Sequence, residues 1–540
     1  MKNNVLKYFA VLSLAAVFSA CSLDQYPHVE TTSKDVYVSA ANYEAVLAGI
    51  YSSLIVNLSD ISSDDRFQNY TRSLIMFQEA TTDNIDNVWA AGESTTDLNN
   101  LCWTASDQWV SAIYYHIYNI VALSNELIRN AADSEIERFS EGDRALIIRY
   151  RNEARGLRAL AYSHAIDFFP AVSFVDENSG VGSYIPPIYD RKQLFGYVES
   201  ELKDLQNLLP SSCYGHFTSA TASALLARLY LNAEVYTGEA RYDECIAACQ
   251  SVFNAGFSLE NDYHKLFNAD NHLRTNEIIF SLACDATHTV AWGAGTYLVC
   301  ATRFDNYVDI LKDFGVNAYW NCLRARRELV NKFEDGDSRG EFISCDRIFF
   351  DPENTDYYAV AGDDTYMYKD RPVDIAAHDD TSTGYLLSKW SNLTDDGEPA
   401  SDTSVSGADT DFPMFRLAEV NLIFAEAVLR GGQGASKTDA LEKVNDLRRR
   451  AYGNESGNIT AQQLTLDFIL DERARELYTE CCRRTDLIRY GKYTSGYNWN
   501  WKGGVEDGKD VDSKYKYLPI PEAELSANPS LKPVNTQYGF

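Results

Sequence analysis

Apolar and small residues recur at steps of three and four along Tyr150–Pro170, YRNEARGLRALAYSHAIDFFP. Tyr150, Ala154, Leu157, Ala161, Ala165 and Phe168 fall on one stripe of a helix. The alanines leave little side chain on that stripe, so a neighbouring helix can approach closely. Arg151, Glu153, Arg155 and Arg158 lie on the other side, which the pattern assigns to solvent, and Pro170 ends the run. Ala222–Ala233 (ASALLARLYLNA) and Phe415–Leu429 (FRLAEVNLIFAEAVL) read the same way. Each leads through a glycine, Gly238 or Gly431, to a second helical run, Tyr242–Phe253 or Lys437–Ala451. Helix pairs built on small-residue faces are tetratricopeptide-like units, although no strict period of about 34 residues is visible. An ordinary helical bundle without repeats fits the same pattern.

Between these runs the pattern weakens. Tyr43–Leu58 and Trp109–Ile128 are helical, but Tyr70–Trp103 is polar, rich in Asn, Asp and Thr, and broken by glycine after Trp89. That composition predicts mainly loop, and loops carrying isolated tryptophans on a helical scaffold are where ligands bind. Gly256–Phe280 is turn-rich and ends in a strand. Ala291–Arg303 (AWGAGTYLVCATR) places Trp292 before Gly293 and Gly295, and Ala318–Arg327 (AYWNCLRARR) predicts Trp320 at the start of another helix. Residues 345–412 read as loops and a few strands with acidic turns, and helices return over Phe415–Leu429, Thr438–Ala451 and Leu466–Tyr490.

The N-terminus, MKNNVLKYFAVLSLAAVFSAC, sets two lysines before an apolar run from Tyr8 to Phe18. The run is too short for a permanent bilayer span and has the flanks of a secretory signal. Ser19 and Ala20 then lead into Cys21, the pattern of a bacterial lipobox, in which the cysteine thiol is acylated. Ser22–Ser39 is polar and serves as a tether.

At 540 residues the chain can bury a large core, and its 45% hydrophobic content is globular. The net charge of −30 repels polyanions, which disfavours nucleic acid and sulfated or uronate-rich ligands and suits neutral ones. Aromatics at 13% are high enough to fill the core and leave rings for a ligand surface. The remaining cysteines are scattered: Cys245 and Cys249 share a helical face, Cys481 and Cys482 are adjacent, and no zinc spacing occurs. The chain contains no nucleophile elbow, HExxH, P-loop or EF-hand pattern. A glycoside hydrolase working through two carboxylates is the enzyme alternative, and a peptide-holding scaffold is the interaction alternative.

The runs EARGLRALAYSHAIDFF, ASALLARLYLN, FPMFRLAEVNLIFAEA, ALEKVNDLRRRA, LDERARELYTECCRRTDLIRYGK and YLPIPEAEL, in this order, resemble the SusD/RagB family of outer-membrane glycan-uptake lipoproteins. Stretches such as SKWSNLTDDGEP resemble its starch-binding member most closely. The resemblance implies a mainly α, tetratricopeptide-like scaffold carrying a loop-rich glycan-binding region, without catalytic activity or a required cofactor. It also implies a lid on a TonB-dependent, SusC-like transporter and capture of a neutral glycan, starch or malto-oligosaccharide first. Carried over, the stacking aromatics fall on Trp89, Trp292 (tyrosine in the family member) and Trp320, and the hydroxyl-binding arginine on Arg72. The family's asparagine falls on Gly92, so that contact is missing, with Glu93, Asn99 or Asn100 as candidate replacements.

Asp270, Asp409 and Asp411 are calcium-type oxygen donors near the family member's structural calcium, but one acid there corresponds to His272 here. Solvated acidic turns are the alternative. The expected layout is a signal peptide at 1–20, anchor and tether at 21–39, and an N-terminal helical region at 40–280. A loop-rich region at 281–412 and a C-terminal helical region at 413–540 complete it. Cys21→Ala is expected to release the protein from the outer membrane, read as its transfer from the membrane fraction to the soluble fraction.

Overall fold

Side-chain caps set where the helices begin. Ser39 accepts from an N–H of α1 (Ala40–Ser52), Asn69 of α2 (Tyr70–Ile75), Asp107 of α3 (Gln108–Asn130) and Ser140 of α4 (Glu141–Phe168). Asp190 opens α5 (Arg191–Leu208) with a reciprocal capping box, and Thr218 caps α6 (Ser219–Leu231). After α7 (Tyr242–Asn254) and the short α8 (Ala294–Cys300) come α9 (Leu417–Leu429) and α10 (Lys437–Tyr452). The main helices end with α11 (Leu466–Leu477) and α12 (Arg483–Arg489). This computed structural model describes residues 33–89, 94–180, 184–289, 291–400 and 407–540. The signal segment, Cys21 and most of the tether lie outside them, and no described helix is long and apolar enough to cross a membrane.

The helices stack in chain order: α3 on α4, α4 on α5, α5 on α6, α6 on α7, α7 on α9, and α9 on α10 and α11. This is the helix-pair array that the small-residue stripes predict. Close approach is real at Gly156 in α4, where a Cβ would lie 2.4 Å from the Phe217 ring. One hydrophobic core runs through the stack from Tyr37 to Leu531.

The small sheets are antiparallel. β1 (Ile85–Asn87) pairs with β5 (Leu323–Ala325), which pairs with β9 (Tyr385–Leu386). β2 (Ala171–Ser173) pairs with β3 (Ile188–Asp190), and β4 (Ile278–Leu282) with β10 (Phe412–Arg416). The segment borders placed at 280/281 and 412/413 both fall within this last pair. β6 (Cys345–Phe349), β8 (Tyr366–Asp370) and β7 (Tyr358–Ala359) form a separate sheet in that order.

Three expectations are corrected. Glu153 and Arg158 are buried, at 0% and 2% exposure, because helices cover α4 on more than the alanine side. Glu153 accepts from Arg149 and Tyr51, and Arg158 pairs with Glu177 and Glu201. Tyr70–Trp103 is largely structured, holding α2, a π-helical turn at Met76–Ala80, β1 and a helical turn at Thr96–Asn99. Two of its acids are paired inside the protein, Asp83 with Arg483 and Asp86 with both Arg324 and Arg326. Trp320 starts no helix: Asn321 has φ 48°, β5 follows, and the next helical turn is Arg327–Val330. Backbone bonds from residues 320–323 to carbonyls of Cys300, Ala301 and Arg303 hold this stretch in place.

The densest buried charge surrounds Glu476 on α11. Arg339, Arg416 and Arg450 all donate to its carboxylate. Arg416 also reaches Glu277 and Glu480, and Arg339 reaches Asp337 and Glu472. Burial alone would push Glu476 up, yet the guanidinium groups of Arg450, Arg416 and Arg339 hold it well below the usual carboxylate range. Glu476→Gln leaves that positive charge uncompensated, so unfolding by urea at neutral pH should show a loss of about 3–5 kcal/mol. The same change at exposed Glu442 should stay within about 0.5 kcal/mol.

Candidate functional site

The side chain of Asn69 organises the ground beneath the candidate site. Its Oδ1 accepts from the Arg72 N–H at 3.0 Å and the Thr71 hydroxyl at 2.8 Å, while its Nδ2 donates to the Ile55 carbonyl. Gly293 lies directly on this amide: a Cβ there would sit 1.8 Å from Asn69 Oδ1. Gly295 is as tightly placed, 1.8 Å from the Thr410 carbonyl by the same construction. The backbone around Trp292 is pinned further by Asn57, which accepts the Trp292 N–H at 3.1 Å, and by Thr71, which accepts the Ala294 N–H at 2.8 Å. Ala294 itself has φ 48°. The glycines visible in the sequence are therefore there because backbone must meet backbone and amide.

On this base the rings form a series. Trp292 and Trp320 are partly exposed, with centroids 5.5 Å apart and planes inclined at 59°. Trp320 leans on the fully buried Tyr297 at 6.1 Å, and the Arg72 guanidinium lies over the Tyr297 ring at 4.7 Å. Arg72 also faces Trp109 at 5.7 Å and is only 5% exposed, so it backs the rings and offers little of itself to a ligand.

Trp89 arrives from the neighbouring strand. The β1–β5 register, continued by the Val88 N–H bond to the Cys322 carbonyl at 2.7 Å, sets Trp89 opposite Asn321. It is partly exposed, its N–H is taken by Asn87 Oδ1 at 2.8 Å, and it packs on Val88, Phe304 and Leu386. The structure thus brings the Trp292 and Trp320 rings together, puts Arg72 behind them and brings the Trp89 backbone alongside.

Gly92 and Glu93 lie outside the described residues. Asn99 is buried and committed to Asn87, whose carbonyl accepts its Nδ2 at 3.0 Å, and Asn100 Oδ1 meets His378 Nε2 at 3.1 Å. Asn99 is therefore not free to replace the family's missing one. Sequence reasoning also missed Asn57, Asn69, Thr71 and Tyr297 as supports. The signal for Asn69 was its place as a capping residue before a helix.

Comparison with known proteins fits this architecture. The SusD family profile matches residues 276–538. The starch-binding protein SusD of Bacteroides thetaiotaomicron is 31% identical over 86% of this chain and 85% of its own. A SusD-like protein of Bacteroides ovatus is 22% identical over 99% of this chain and 98% of its own. The fold is shared with surface glycan-binding protein A of Bacteroides thetaiotaomicron, solved with laminarihexaose. That match has TM-score 0.68 at 19% identity, covering 91% of this chain and 98% of that one.

The three acids expected to hold calcium are engaged otherwise. Both Asp411 oxygens are taken, by the Tyr214 hydroxyl and the Cys284 N–H, and burial pushes this carboxyl up to about 6. Asp409 accepts the Ala286 N–H at 3.0 Å and Asp270 the Asp395 N–H at 2.7 Å. Among the described residues no group of three or more His, Cys, Asp and Glu side chains gathers as a metal site would. Asp411, with both oxygens committed and its carboxyl raised by burial, fits a calcium ion poorly. The melting temperature is expected to be the same in millimolar EDTA and millimolar calcium; a rise of several degrees with calcium would restore the metal site.

Proposed function

The chain belongs to the SusD/RagB family, and from that premise we propose that it captures starch or malto-oligosaccharides at the cell surface and passes them to a TonB-dependent outer-membrane transporter. The observation that carries this reading is the pair of partly exposed indoles, Trp292 and Trp320, held side by side on a rigid backing. A sugar ring has an apolar C–H face and a polar rim, so an indole takes the face by dispersion and by release of water. Nothing in that contact needs charge, which suits a chain at −30.

The inclination of 59° bears on the choice of glycan. A ligand touching both indoles must turn between them, which a curved α-glucan does and a straight ribbon does not. Identity of 31% with a protein named for starch binding supports the same choice. Trp89, whose backbone runs alongside, is the third stacking aromatic of this reading, and Arg72 supplies the positive ring-backing from beneath. Cys21 carries the acyl anchor. Recognition and delivery are the whole task on this reading, and no glycosidic bond is cut by the protein.

The test is affinity electrophoresis in gels containing amylopectin, laminarin, xyloglucan or inulin. The wild type should be retarded most by amylopectin, without formation of reducing ends in solution. Trp292→Ala with Trp320→Ala should weaken binding about a hundredfold, from two lost aromatic anchors. Retardation by laminarin or xyloglucan alone would replace starch with that glycan, and an unaltered double variant would overturn the ledge.

A further inference from the structure

A second aromatic surface stands outside this ledge, on the sheet β6–β8–β7. Its two faces differ in where they bury side chains. Residues alternate along a strand, and Met367 and Asp346, which point to one face, are buried at 6% and 4% exposure. The other face carries Phe349, Tyr366, Arg347, Tyr368 and Tyr358, brought into rows by the register Phe349↔Tyr366, Arg347↔Tyr368 and Tyr358↔Tyr368. Phe349 is 55% exposed and Tyr358 47%, far above what a covered sheet face shows.

The rings on this face are held in place. Phe349 and Tyr366 stack at 5.9 Å with 30° between planes, and Tyr358 and Tyr368 lie 6.3 Å apart at 36°. Each tyrosine hydroxyl is tied to a carboxylate: Tyr358 donates to Asp370 and Tyr368 to Asp363, both at 2.6 Å, and Tyr366 donates to Asp309. Phe349 and Tyr358 keep the most exposed rings, with carboxylate oxygens at the edges of the face as acceptors for a polyhydroxyl ligand. This acidic rim, on a chain already at −30, turns away anionic polymers.

The face is linked through packing to Trp89, beside the ledge. Tyr307 packs in the same small apolar cluster as Trp89, and the Arg347 guanidinium bridges Tyr307 at 4.2 Å and Tyr366 at 4.4 Å.

We propose that the outer face of β6–β8–β7 is a second glycan-binding surface, which takes a neutral polysaccharide by stacking on Phe349 and Tyr358 while the ledge holds another part of the same chain. The inference rests on the reading of the protein as a glycan binder. A polymer that engages both surfaces gains effective concentration at the second, whereas a short oligosaccharide held on the ledge does not.

The experiment compares Phe349→Ala/Tyr358→Ala, Trp292→Ala/Trp320→Ala and wild type. Calorimetry with maltohexaose and affinity electrophoresis with amylopectin are the readouts, with circular dichroism to confirm folding. If another glycan of the panel retards the wild type, that polymer and its hexasaccharide take their place. The sheet variant should bind the polymer about fivefold more weakly and the hexasaccharide as wild type does. Unchanged polymer retention overturns the second surface, as does an equal loss for hexasaccharide and polymer, which would make the sheet part of a single site. Failure of the ledge reads separately, as a tryptophan variant that binds the hexasaccharide like wild type. A wild type retained by no glycan of the panel overturns both.

Discussion

The structure depends on a buried lattice of guanidinium and carboxylate groups centred on Glu476. Each of these charges would cost several kcal/mol alone in the interior, and only mutual pairing with directed hydrogen bonds offsets that cost. The pairing is nearly complete around Glu476, Glu472, Glu480 and Glu277, and it joins parts of the chain far apart in sequence. Arg416 comes from β10, Arg450 from α10, Glu277 from the turn before β4, and Arg339 and Lys389 from the loop-rich region. Lys389 shows how demanding the environment is: burial brings its ammonium down to about 8 although Glu480 lies 2.6 Å away. Two further pairings do the same work nearer the ledge, Arg483 with Asp83 and the arginines 324 and 326 with Asp86. The loop-rich region is therefore fixed to the helical frame by directional bonds as well as by apolar contact. A hydrophobic interface of the same area would tolerate sliding that a forked guanidinium does not.

That lattice also explains what could and could not be read from the sequence. The alanine-rich stripe of α4 and its counterparts on α6 and α9 gave the helix pairs, because a period of about 3.6 residues is a local property. The fate of Glu153, Arg158, Asp83 and Asp86 was not local. A one-dimensional pattern assigns a charged side chain to water, and its buried partner lies up to 400 residues away, as for Asp83 and Arg483. The polar stretch Tyr70–Trp103 looked like loop for the same reason: its Asn, Asp and Thr residues mark internal hydrogen bonds here. Of the site, Trp292 stood out just before two glycines, whereas Tyr297, the ring that joins Trp320 to Arg72, reads in sequence as one aromatic among many in an apolar run.

Rigidity at the ledge bears directly on binding. A single indole against a sugar face is a weak contact, and the free energy of ordering flexible loops would consume it. Asn57, Asn69 and Thr71 fix the backbone of Trp292 before any ligand arrives, and the carbonyls of Cys300, Ala301 and Arg303 do so for the Trp320 stretch. Arg72, which would be wasted as a ligand residue at 5% exposure, has a structural reason to be there: it stiffens Tyr297, and Tyr297 supports Trp320. The tight steric demands at Gly293 and Gly295 follow from the same requirement, since any side chain at either would push Trp292 off its backing. On the proposed reading, selectivity for a curved neutral chain would come from two inclined planes that cannot readjust, set on a frame that the lattice around Glu476 ties together.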